Sequence, residues 1–495
     1  MRKFWALLAI LLLLTGCGNA SGGQTGTEPT AQPAAGEENR YVSFDIYGVN
    51  DLHGRLADSA TQPGLDELTT YLKQAVGENA ILLATGDMWQ GTAEANRTKG
   101  AIITEWMNGV GFVAMTLGGH EFDWGEAAIR ANRELAEFPF LGINVYSRET
   151  NARAAYCESS LLLERDGVQI GIIGAIGDCE NSISASSLEN VYFQTGDALT
   201  ALVQAEAEAL RSRGADFIIY ALHDGYTETY DGTNALSVET EALSGYYGSV
   251  LSQGFVDLVF EADTHYSYVL RDSQGVYHLQ AGANNSGIAH ARVLVDRVSG
   301  EKWVLHTELI GAGQYQLEQP DPLPGKLLEK YKEQIGSVNG VLGQNETYRN
   351  NYALSELVAE LYCQAGLARW GEAYDIVLAG GYISCRSPGY LPTGPVTYSQ
   401  LQELLPFDNQ ISLCSIRGRD LVKRFLETDN EAYHIKLTEY GEAIREAIDP
   451  EGIYYLVTDS YTAEYSYNNL TVVESYDPDV YARDLLAAYF TPINE

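Results

Sequence analysis

Short apolar runs that end in polar, chemically reactive residues recur along this chain. They include VSFDIYGVNDLHG, AILLATGDMWQG, GFVAMTLGGHEFD, ADFIIYALHDGY and VDLVFEADTHYSY. Runs of this length that are rich in Ile, Val, Phe and Leu predict buried strands rather than helices. Stretches typical of helices, such as GLDELTTYLKQAV and TALVQAEAEALRSRG, lie between them. The alternation predicts a layered α/β fold, in which ligands bind outside the carboxyl ends of the strands.

Histidine and aspartate residues gather directly after these predicted strands. The chain has 8 histidines, and four of them stand just beyond a strand: His53, His120, His223 and His265. The neighbouring aspartates are Asp51, Asp87 and Asp263. A single histidine at a strand end is commonly structural, but carboxylates gathered this closely repel one another unless a cation lies between them. Imidazole with carboxylate suits Zn, Mn, Fe or Ni, so the sequence predicts a metal site.

The charge of the chain excludes one class of partner. Asp and Glu number 67 against 31 Lys and Arg, which gives a formal net charge of −36. An acidic surface repels the phosphates of DNA and RNA, so we expect no nucleic-acid polymer as a partner. A small phosphorylated substrate is still possible, because a local metal or arginine can reverse the sign of the charge inside one pocket.

The N-terminus predicts export. Residues 1–16 combine a basic start with the short apolar run FWALLAILLLLTG, which is typical of a signal peptide rather than a membrane span. The sequence LTGC resembles a bacterial lipobox, which would leave Cys17 as a lipidated N-terminus; a plain signal peptide is the alternative. Residues 17–40 predict a flexible tether. We therefore expect a secreted protein that a lipid anchor alone holds on the outer face of the bacterial cell membrane.

The motifs and their order resemble those of the calcineurin-like metallophosphatases. VNDLHGRL, TGDMWQGT and GGHEFDWG are similar to the 5′-nucleotidase and 2′,3′-cyclic-phosphodiesterase family, and the similarity runs from about Tyr41 to the C-terminus. The resemblance implies a four-layer α/β metallophosphatase domain at 41–315, with two mixed sheets flanked by helices. It also implies a helical linker at 316–340 and an α/β substrate-binding C-terminal domain at 341–495.

The resemblance assigns metal ligands by position. Asp51, His53 and His265 would hold one ion, and Asp87 would bridge to a second ion that His223 also binds. In this family such ions polarise the phosphoryl oxygens and lower the pKa of a bound water, which attacks in line. One or two divalent ions, among Mn, Zn, Mg and Fe, are therefore the expected cofactors.

The third motif carries the predicted acid. His120 would be the general acid or a phosphate-stabilising group, with Asp123 orienting its ring. Histidine titrates in the range that protonation of a leaving alkoxide requires. A carboxylate partner fixes the tautomer of the ring and keeps it protonated to higher pH.

The second metal site departs from the family pattern at two positions. Gly119 stands where the family has a metal-binding asparagine, and Asp263 stands where it has a histidine. The remaining ligands are Asp87, His223 and Asp263 itself. Because a carboxylate adds negative charge, this change favours a harder ion such as Mn or Mg over Zn. We expect the first site to be complete and the second to be weakened.

The substrate side also departs from the family. Ser384 replaces a phosphate-holding arginine, and Arg386 is a candidate to take its role. Asn409 lies in the stretch that follows the family's C-terminal pattern, and Arg419 matches another basic position of the family. The family's ribose-binding Gly-Gly-Asp-Gly loop is missing, with Tyr467 roughly where its aspartate would stand.

Two tyrosines are the candidates to stack on the base. By spacing they are Tyr433 and Tyr461. The chain contains 33 tyrosines, so a structural role at either position is an equal alternative.

Two functions fit these residues. The first is an extracellular phosphoesterase that acts on nucleotides or related small phosphate esters. The alternative is a surface nucleotide-binding protein with weakened catalysis, which Gly119 and Ser384 support. Retention of His120 and Asp123 favours the enzyme. A dinucleotide-dependent oxidoreductase is excluded, because no Gly-x-Gly-x-x-Gly turn follows the first strand.

Overall fold

The computed structural model describes residues 40–56, 64–77, 79–180, 183–184, 186–226, 237–239, 254–272, 274–315, 319–386, 388–464, 468–477 and 480–491. The predicted signal peptide, tether and lipidation site Cys17 lie outside these residues, and so does Tyr467. Contacts divide the chain into Met1–Arg40 and Tyr41–Glu495, and every element below belongs to the second unit. None of the described helices is both long and apolar enough to cross a membrane.

Strands are numbered in chain order. Those of the first part are β1 (Tyr41–Val49), β2 (Ile81–Ala84), β3 (Ala114–Thr116), β4 (Phe140–Leu141), β5 (Val145–Ser147), β6 (Ser160–Arg165), β7 (Val168–Ile176), β8 (Val191–Phe193), β9 (Phe217–His223), β10 (Ser237–Glu239), β11 (Leu258–Phe260), β12 (Ser267–Arg271), β13 (Tyr277–Ala281), β14 (Gly287–Asp296) and β15 (Lys302–Gly311). Those of the second part are β16 (Val341–Asn345), β17 (Arg349–Asn350), β18 (Ile376–Tyr382), β19 (Tyr390–Leu391), β20 (Gly394–Thr397), β21 (Ile411–Arg417), β22 (Tyr433–Leu437), β23 (Ile453–Asp459) and β24 (Thr471–Ser475).

Helices are numbered in the same way. The α-helices are α1 (Leu65–Ala75), α2 (Ala93–Arg97), α3 (Ala101–Val110), α4 (Gly125–Leu135), α5 (Gly196–Ser212), α6 (Leu323–Ile335), α7 (Asn351–Trp370), α8 (Tyr398–Leu404), α9 (Gly418–Leu421), α10 (Glu439–Ile444), α11 (Ser460–Glu464) and α12 (Ala482–Phe490). Short 3-10 turns cover His120–Phe122, Ala312–Gln314 and Arg445–Ala447, and Val422–Leu426 is a π-helix.

Two mixed sheets form the first part of the molecule. The first has the order β15-β14-β1-β2-β3-β4, in which β1 to β4 are parallel and β14 and β15 antiparallel. The second has the order β10-β12-β13-β11-β9-β7-β6, with β7, β9, β11 and β13 parallel. Because parallel neighbours end at the same sheet edge, the loops after β1, β2, β3, β9 and β11 are available to build one site.

Apolar side chains from both sheets form a shared core. Phe44 and Ile46 of the first sheet lie in one buried cluster with Ile172 and Phe217 of the second. Helices α1, α3 and α4 cover the outer face of the first sheet, and α5 covers that of the second. The result is a four-layer arrangement of helices, two sheets and helices, which confirms the predicted fold class.

Helix α5 shows how the sequence specifies these layers. Its buried residues follow the helical period and therefore share one face: Leu199, Val203, Ala207 and Leu210. That face packs on the second sheet in a buried cluster with Ile173 and Tyr220. The exposed positions of the helix are alanines and polar or charged residues such as Gln204 and Glu208.

The second part of the chain contains a five-stranded sheet of order β22-β18-β23-β21-β24. Helix α7 packs on it through Val358 and Tyr362, which lie in a buried cluster with Ile376 and Val457. Helix α6 lies within residues 316–340, for which the sequence analysis predicts a helical linker; the linker and the domain boundaries stay predictions. Leu327 of α6 belongs to the core of the first part.

Candidate functional site

The predicted ligand residues lie where the sequence analysis expects them, at the carboxyl ends of strands. Asp51 and His53 follow β1, Asp87 follows β2, and His223 is the last residue of β9. Asp263 and His265 follow β11. Two sets of possible ligand atoms each lie within 4.8 Å of one another: Asp51, His53 and His265 form one, and Asp51, Asp87 and His223 form the other.

The carboxylate common to both sets is Asp51. The resemblance assigned the bridging position to Asp87, which belongs only to the second set. Asp263 belongs to neither set, but its Oδ1 lies 3.8 Å from Nε2 of His223. Its backbone N–H also donates to both carboxylate oxygens of Asp51 at 3.1 Å.

Backbone conformation at these positions is unusual. Five of the six candidate ligands have a positive φ, between 47° and 67°: Asp51, His53, Asp87, Asp263 and His265. For a non-glycine residue this left-handed conformation costs about 1–3 kcal/mol and is concentrated at functional sites. The fold therefore retains a destabilising backbone geometry at each of the loops that turn these side chains toward one another.

The imidazoles of His53 and His265 form the centre of the first ligand set. Their Nε2 atoms face each other at 2.9 Å, and Nδ1 of His53 donates to the carbonyl of Gln90 at 3.1 Å. Burial lowers the pKa of His265 to about 4 and the pKa of His53 well below its ordinary value. Two neutral imidazoles whose Nε2 atoms lie this close can bind one cation between them.

His223 directs its Nε2 into the second set. Its Nδ1 donates to the carbonyl of Thr85 at 2.7 Å. Burial lowers the pKa of His223, but the charge of Asp87 outweighs burial and raises that pKa well above its ordinary value. This Nε2 is buried without a hydrogen-bond partner and lies 3.3 Å from Oδ1 of Asp87. In metal-binding histidines the ring nitrogen that does not bind the metal typically donates to a carbonyl in this way, which fixes the tautomer. The donors of both sets therefore fit divalent ions.

Burial and neighbouring charges determine the pKa values of the carboxylates in the ligand cluster. Burial raises the pKa of Asp51 to about 8, with the charge of Asp87 adding to the effect and that of His223 opposing it. For Asp87 burial acts in the same direction, but the positive charges of His223 and His120 outweigh it and lower its pKa. Buried carboxylates of this kind need a cation close by to stay ionised.

The backbone at Gly119 does not require glycine. Its φ of −61° and ψ of −46° are right-handed helical values that any residue adopts. A Cβ built there would lie 3.5 Å from Sγ of Cys179 and 3.7 Å from the side chain of Ile183, which is ordinary contact. The missing asparagine is therefore a change of ligand chemistry rather than a steric necessity.

His120 and Asp123 form the predicted pair. Nδ1 of His120 lies 3.0 Å from Oδ2 of Asp123, and its ring centroid lies 5.3 Å from that of Phe407. Nε2 is directed toward the ligand cluster, 3.8 Å from Oδ2 of Asp87. Burial lowers the pKa of His120, but the charges of Asp87 and Asp123 and the hydrogen bond outweigh it and raise the pKa to about 9.

Glu121 is a supporting residue that the sequence analysis did not assign. Its buried carboxylate accepts backbone N–H groups of Asp87 and Met88 at 2.8 Å and of Gly118 at 2.7 Å. These bonds tie the loop after β2 to the loop after β3. Its position next to His120 was visible in the motif, but nothing in the sequence indicated that it would bind backbone rather than metal.

A buried ionic cluster supports the loop after β11. Nδ1 of His278 lies 2.9 Å from Oε1 of Glu261 and its Nε2 lies 3.4 Å from Oδ2 of Asp272. The hydroxyl of Tyr268 donates to Oε2 of Glu261 at 2.6 Å. Burial opposes protonation of His278, but the charge of Glu261 and both hydrogen bonds raise its pKa to about 9.

Four of the five predicted substrate-binding residues line cavities. The catalytic cavity, about 340 Å³, is lined by His53, His120 and His265 together with Ser384 and Arg386. The large cavity, about 590 Å³, also includes Arg386 and adds Asp123, Asn409 and Tyr461. The guanidinium carbon of Arg386 lies 5.1 Å from the ring centroid of Phe407. Arg386 thus lines the same cavity as His120, as does Arg55, and Arg386 also lines the large cavity.

The outer cavity, about 400 Å³, contains the second predicted tyrosine. Tyr433 lines it together with Tyr461 and Tyr382. Arg419 lines none of these three cavities; its guanidinium lies 2.9 Å from Oε1 of Glu451 on the exposed surface. The structure therefore brings Arg386, Asn409, Tyr433 and Tyr461 to cavity walls but leaves Arg419 apart from them.

Known proteins similar to this chain include several 5′-nucleotidases, although no family model matches it. Protein UshA of Yersinia enterocolitica is 24% identical over 489 residues, which span 87% of this chain and 86% of that protein. A 5′-nucleotidase of Diplobatis ommata is 24% identical over 441 residues, which span 82% of this chain and 73% of that protein.

A solved structure agrees with these relatives. The 5′-nucleotidase precursor of Thermus thermophilus has a TM-score of 0.67 and 17% identity, covering 91% of this chain and 96% of that chain. This likeness shows the fold. Together with the relatives it confirms the resemblance to 5′-nucleotidases.

Proposed function

We propose that this homologue of the 5′-nucleotidases is a metal-dependent phosphoesterase that hydrolyses nucleotides or related small phosphate esters. The observation that carries the proposal is the position of the His120–Asp123 pair beside two sets of possible metal ligands. His120 lines the same cavity as His53 and His265 of the first set. Phosphate-ester hydrolysis is the activity that the names of the similar 5′-nucleotidases state. Hydrolysis of 5′-nucleotides is the primary reaction proposed, and hydrolysis of 2′,3′-cyclic nucleotides is the second.

Divalent ions would be held by side chains from both sheets. Asp51, His53 and His265 would hold the first, and Asp87 and His223, with Asp51 or Asp263, would hold the second. When bound, such ions polarise phosphoryl oxygens and lower the pKa of a coordinated water. Because Gly119 offers no side chain and Asp263 is a carboxylate, we propose weaker binding at the second site and a preference for Mn or Mg.

His120 would supply the proton that the leaving oxygen requires. With its pKa raised to about 9, the imidazole carries two protons at neutral pH. Asp123 accepts the Nδ1 proton and so fixes the ring, which leaves the Nε2 proton directed into the catalytic cavity. Donation of that proton neutralises the departing alkoxide, which is the ordinary role of a general acid.

Arg386 would counter the charge of the phosphate. It is the arginine that lines both the catalytic and the large cavity, so its guanidinium faces the space where a phosphate bound near His120 would lie. In a chain with a net charge of −36, local positive charge of this kind is needed to attract an anionic substrate. The planar guanidinium is also well suited to bind phosphate through two hydrogen bonds.

The nucleoside part of the substrate would extend into the large cavity. Asn409 and Tyr461 line it, and Tyr433 lies beyond them in the wall of the outer cavity. We propose that Asn409 binds polar groups of the substrate and that Tyr461 contacts the base. Arg419 stays in its ion pair with Glu451 in this proposal and does not contact the substrate.

Location and domain organisation follow from the sequence. We propose that the protein is exported, lipidated at Cys17 and held at the outer face of the bacterial cell membrane. Its catalytic domain would comprise residues 41–315, its helical linker 316–340 and its substrate-binding domain 341–495. A surface phosphoesterase of this kind would act on phosphate esters outside the cell.

The second candidate function is nucleotide binding with little turnover. Gly119 favours it, because the second ion loses a ligand there. The discriminating experiment uses the soluble chain from Tyr41 onward, loaded with Mn or Zn, and measures phosphate release from 5′-AMP and p-nitrophenyl phosphate and ring opening of 2′,3′-cyclic AMP. We expect turnover of 5′-AMP. Nucleotide binding without turnover in any metal would contradict the enzyme and favour the binding protein.

A further inference from the structure

The outer cavity has a charge unlike that of the rest of the chain. Lys423 and Arg424 line it, and no Asp or Glu is among its described lining residues. The whole chain has 67 acidic and 31 basic residues, so a pocket with two cations and no carboxylate in its described wall is an exception. Such a pocket attracts an anion in a protein whose overall field repels it.

The outer cavity adjoins the space that the proposed substrate would occupy. Tyr382 and Tyr461 line both the outer and the large cavity, and their ring centroids lie 5.8 Å apart. The large cavity in turn includes Asp123, the partner of the proposed acid, and Arg386. If the reacting phosphate of a substrate lies near His120, a leaving group that extends through the large cavity would reach these tyrosines.

Local backbone structure explains how two consecutive cations reach the same cavity. Val422–Leu426 is a π-helix that directly follows α9. Phe425 is buried in this segment and its ring lies 5.8 Å from that of Tyr433, while Lys423 is exposed and Arg424 is half-buried. Single π-helical turns are rare and occur frequently at functional sites. Here the turn anchors Phe425 inward and holds both cations at the cavity wall.

We propose that the outer cavity is a second substrate subsite, which binds an anionic group carried by the leaving group. The substrate class is a nucleotide with a second phosphate, such as a nucleoside bisphosphate. Lys423 and Arg424 would donate charge-assisted hydrogen bonds to that phosphate, with Thr428 and Asn430 of the same wall as neutral donors. Which phosphate reacts rests on the proposed function, whereas binding of an anionic group at the subsite can be measured without turnover.

The test compares two probes by calorimetry in the presence of a chelator, so that no turnover occurs. We expect adenosine 3′,5′-bisphosphate to bind about tenfold more tightly than 5′-AMP, the gain that one charge-assisted contact supplies. The double variant Lys423→Gln/Arg424→Gln is expected to reduce this ratio to about one. The matched control Lys436→Gln/Arg445→Gln removes the same charge from two exposed positions and should leave the ratio unchanged.

Two results would overturn the proposal: equal affinity of the wild-type chain for both probes, or an unchanged ratio in the double variant. If the double variant unfolds at a lower temperature than its control, the single variant Lys423→Gln replaces it, since the side chain of Lys423 is exposed. An affinity ratio of this single variant equal to that of the wild type would also overturn the proposal. If the ratio is intact but the metal-loaded chain does not hydrolyse 5′-AMP in a separate assay, only the proposed function is contradicted.

Discussion

The Nε2 atoms of His53 and His265 face each other at 2.9 Å although the two residues are 212 positions apart in the chain. His53 follows β1 of the six-stranded sheet and His265 follows β11 of the seven-stranded sheet. The pair therefore forms only when both sheets have packed against each other. Metal binding at this point would stabilise that packing, because an ion bound by the folded state alone shifts the folding equilibrium toward it.

Asp123 is expected to set the alkaline limit of activity. Its carboxylate raises the pKa of His120, so Asp123→Asn should lower that pKa and move the alkaline limb of the kcat profile to lower pH. The size of the shift is expected to be about one pH unit or more, the effect of a close carboxylate. Glu126→Gln, on the neighbouring helix α4, is the control. An unchanged limb in Asp123→Asn would show that another group is the acid.

Gly119→Asn is expected to restore a ligand to the second metal. The backbone there is right-handed and a Cβ has ordinary contacts, so the variant should fold. We expect metal content to rise toward two ions per chain and the affinity of the weaker ion to increase about tenfold, the scale of changes around metal sites. Gly119→Ala adds bulk without a ligand and is the matched control. Equal metal stoichiometry in all three proteins would refute the weakened-site account.

Arg386 is expected to bind the phosphate. Removal of its charge in Arg386→Gln should lower kcat/KM for 5′-AMP about tenfold to a hundredfold, since a charged hydrogen bond contributes about 1.5–3 kcal/mol. Arg417→Gln removes the same charge from a half-exposed ion pair with Glu451 outside the three cavities. Similar losses in both variants would mean that general charge, not a phosphate contact, determines the rate.

His278 is expected to make stability depend on pH. Its pKa is about 9 in the folded chain against an ordinary value of 6.5, so its stabilisation is complete below about pH 6.5 and is lost as pH rises through 9. The contribution is on the order of 3 kcal/mol at most. Urea unfolding between pH 6.5 and 9.5 should show a steeper loss for the wild type than for His278→Gln. Parallel pH dependence would exclude this role.

The fold and the ligand loops were predictable because both follow from periodic patterns. Apolar runs of strand length alternate with amphipathic helices, and parallel strands place their carboxyl-terminal loops at one edge. That rule alone is enough to group Asp51, Asp87 and His223. The motif around His120 likewise indicated its hydrogen bond to Asp123 three residues away.

Contacts between distant side chains were not predictable in the same way. The buried Arg55 lies 3.0 Å from Glu403, and the sequence contains no pattern that pairs them. The backbone hydrogen bonds of Glu121 and the ionic cluster of His278 are of the same kind, because they depend on how loops approach in three dimensions. Which aspartate is common to both ligand sets is also decided by loop geometry, which composition and spacing do not specify.

The most direct test of the account is phosphate release from 5′-AMP by the metal-loaded chain, compared with its His120→Ala variant. We expect metal-dependent release that a chelator abolishes, and a loss in kcat of about a hundredfold to ten-thousandfold in the variant. For p-nitrophenyl phosphate the loss should be much smaller, because p-nitrophenolate leaves without a proton. Absence of release from the wild-type chain with any divalent metal, while metal remains bound, would contradict the account.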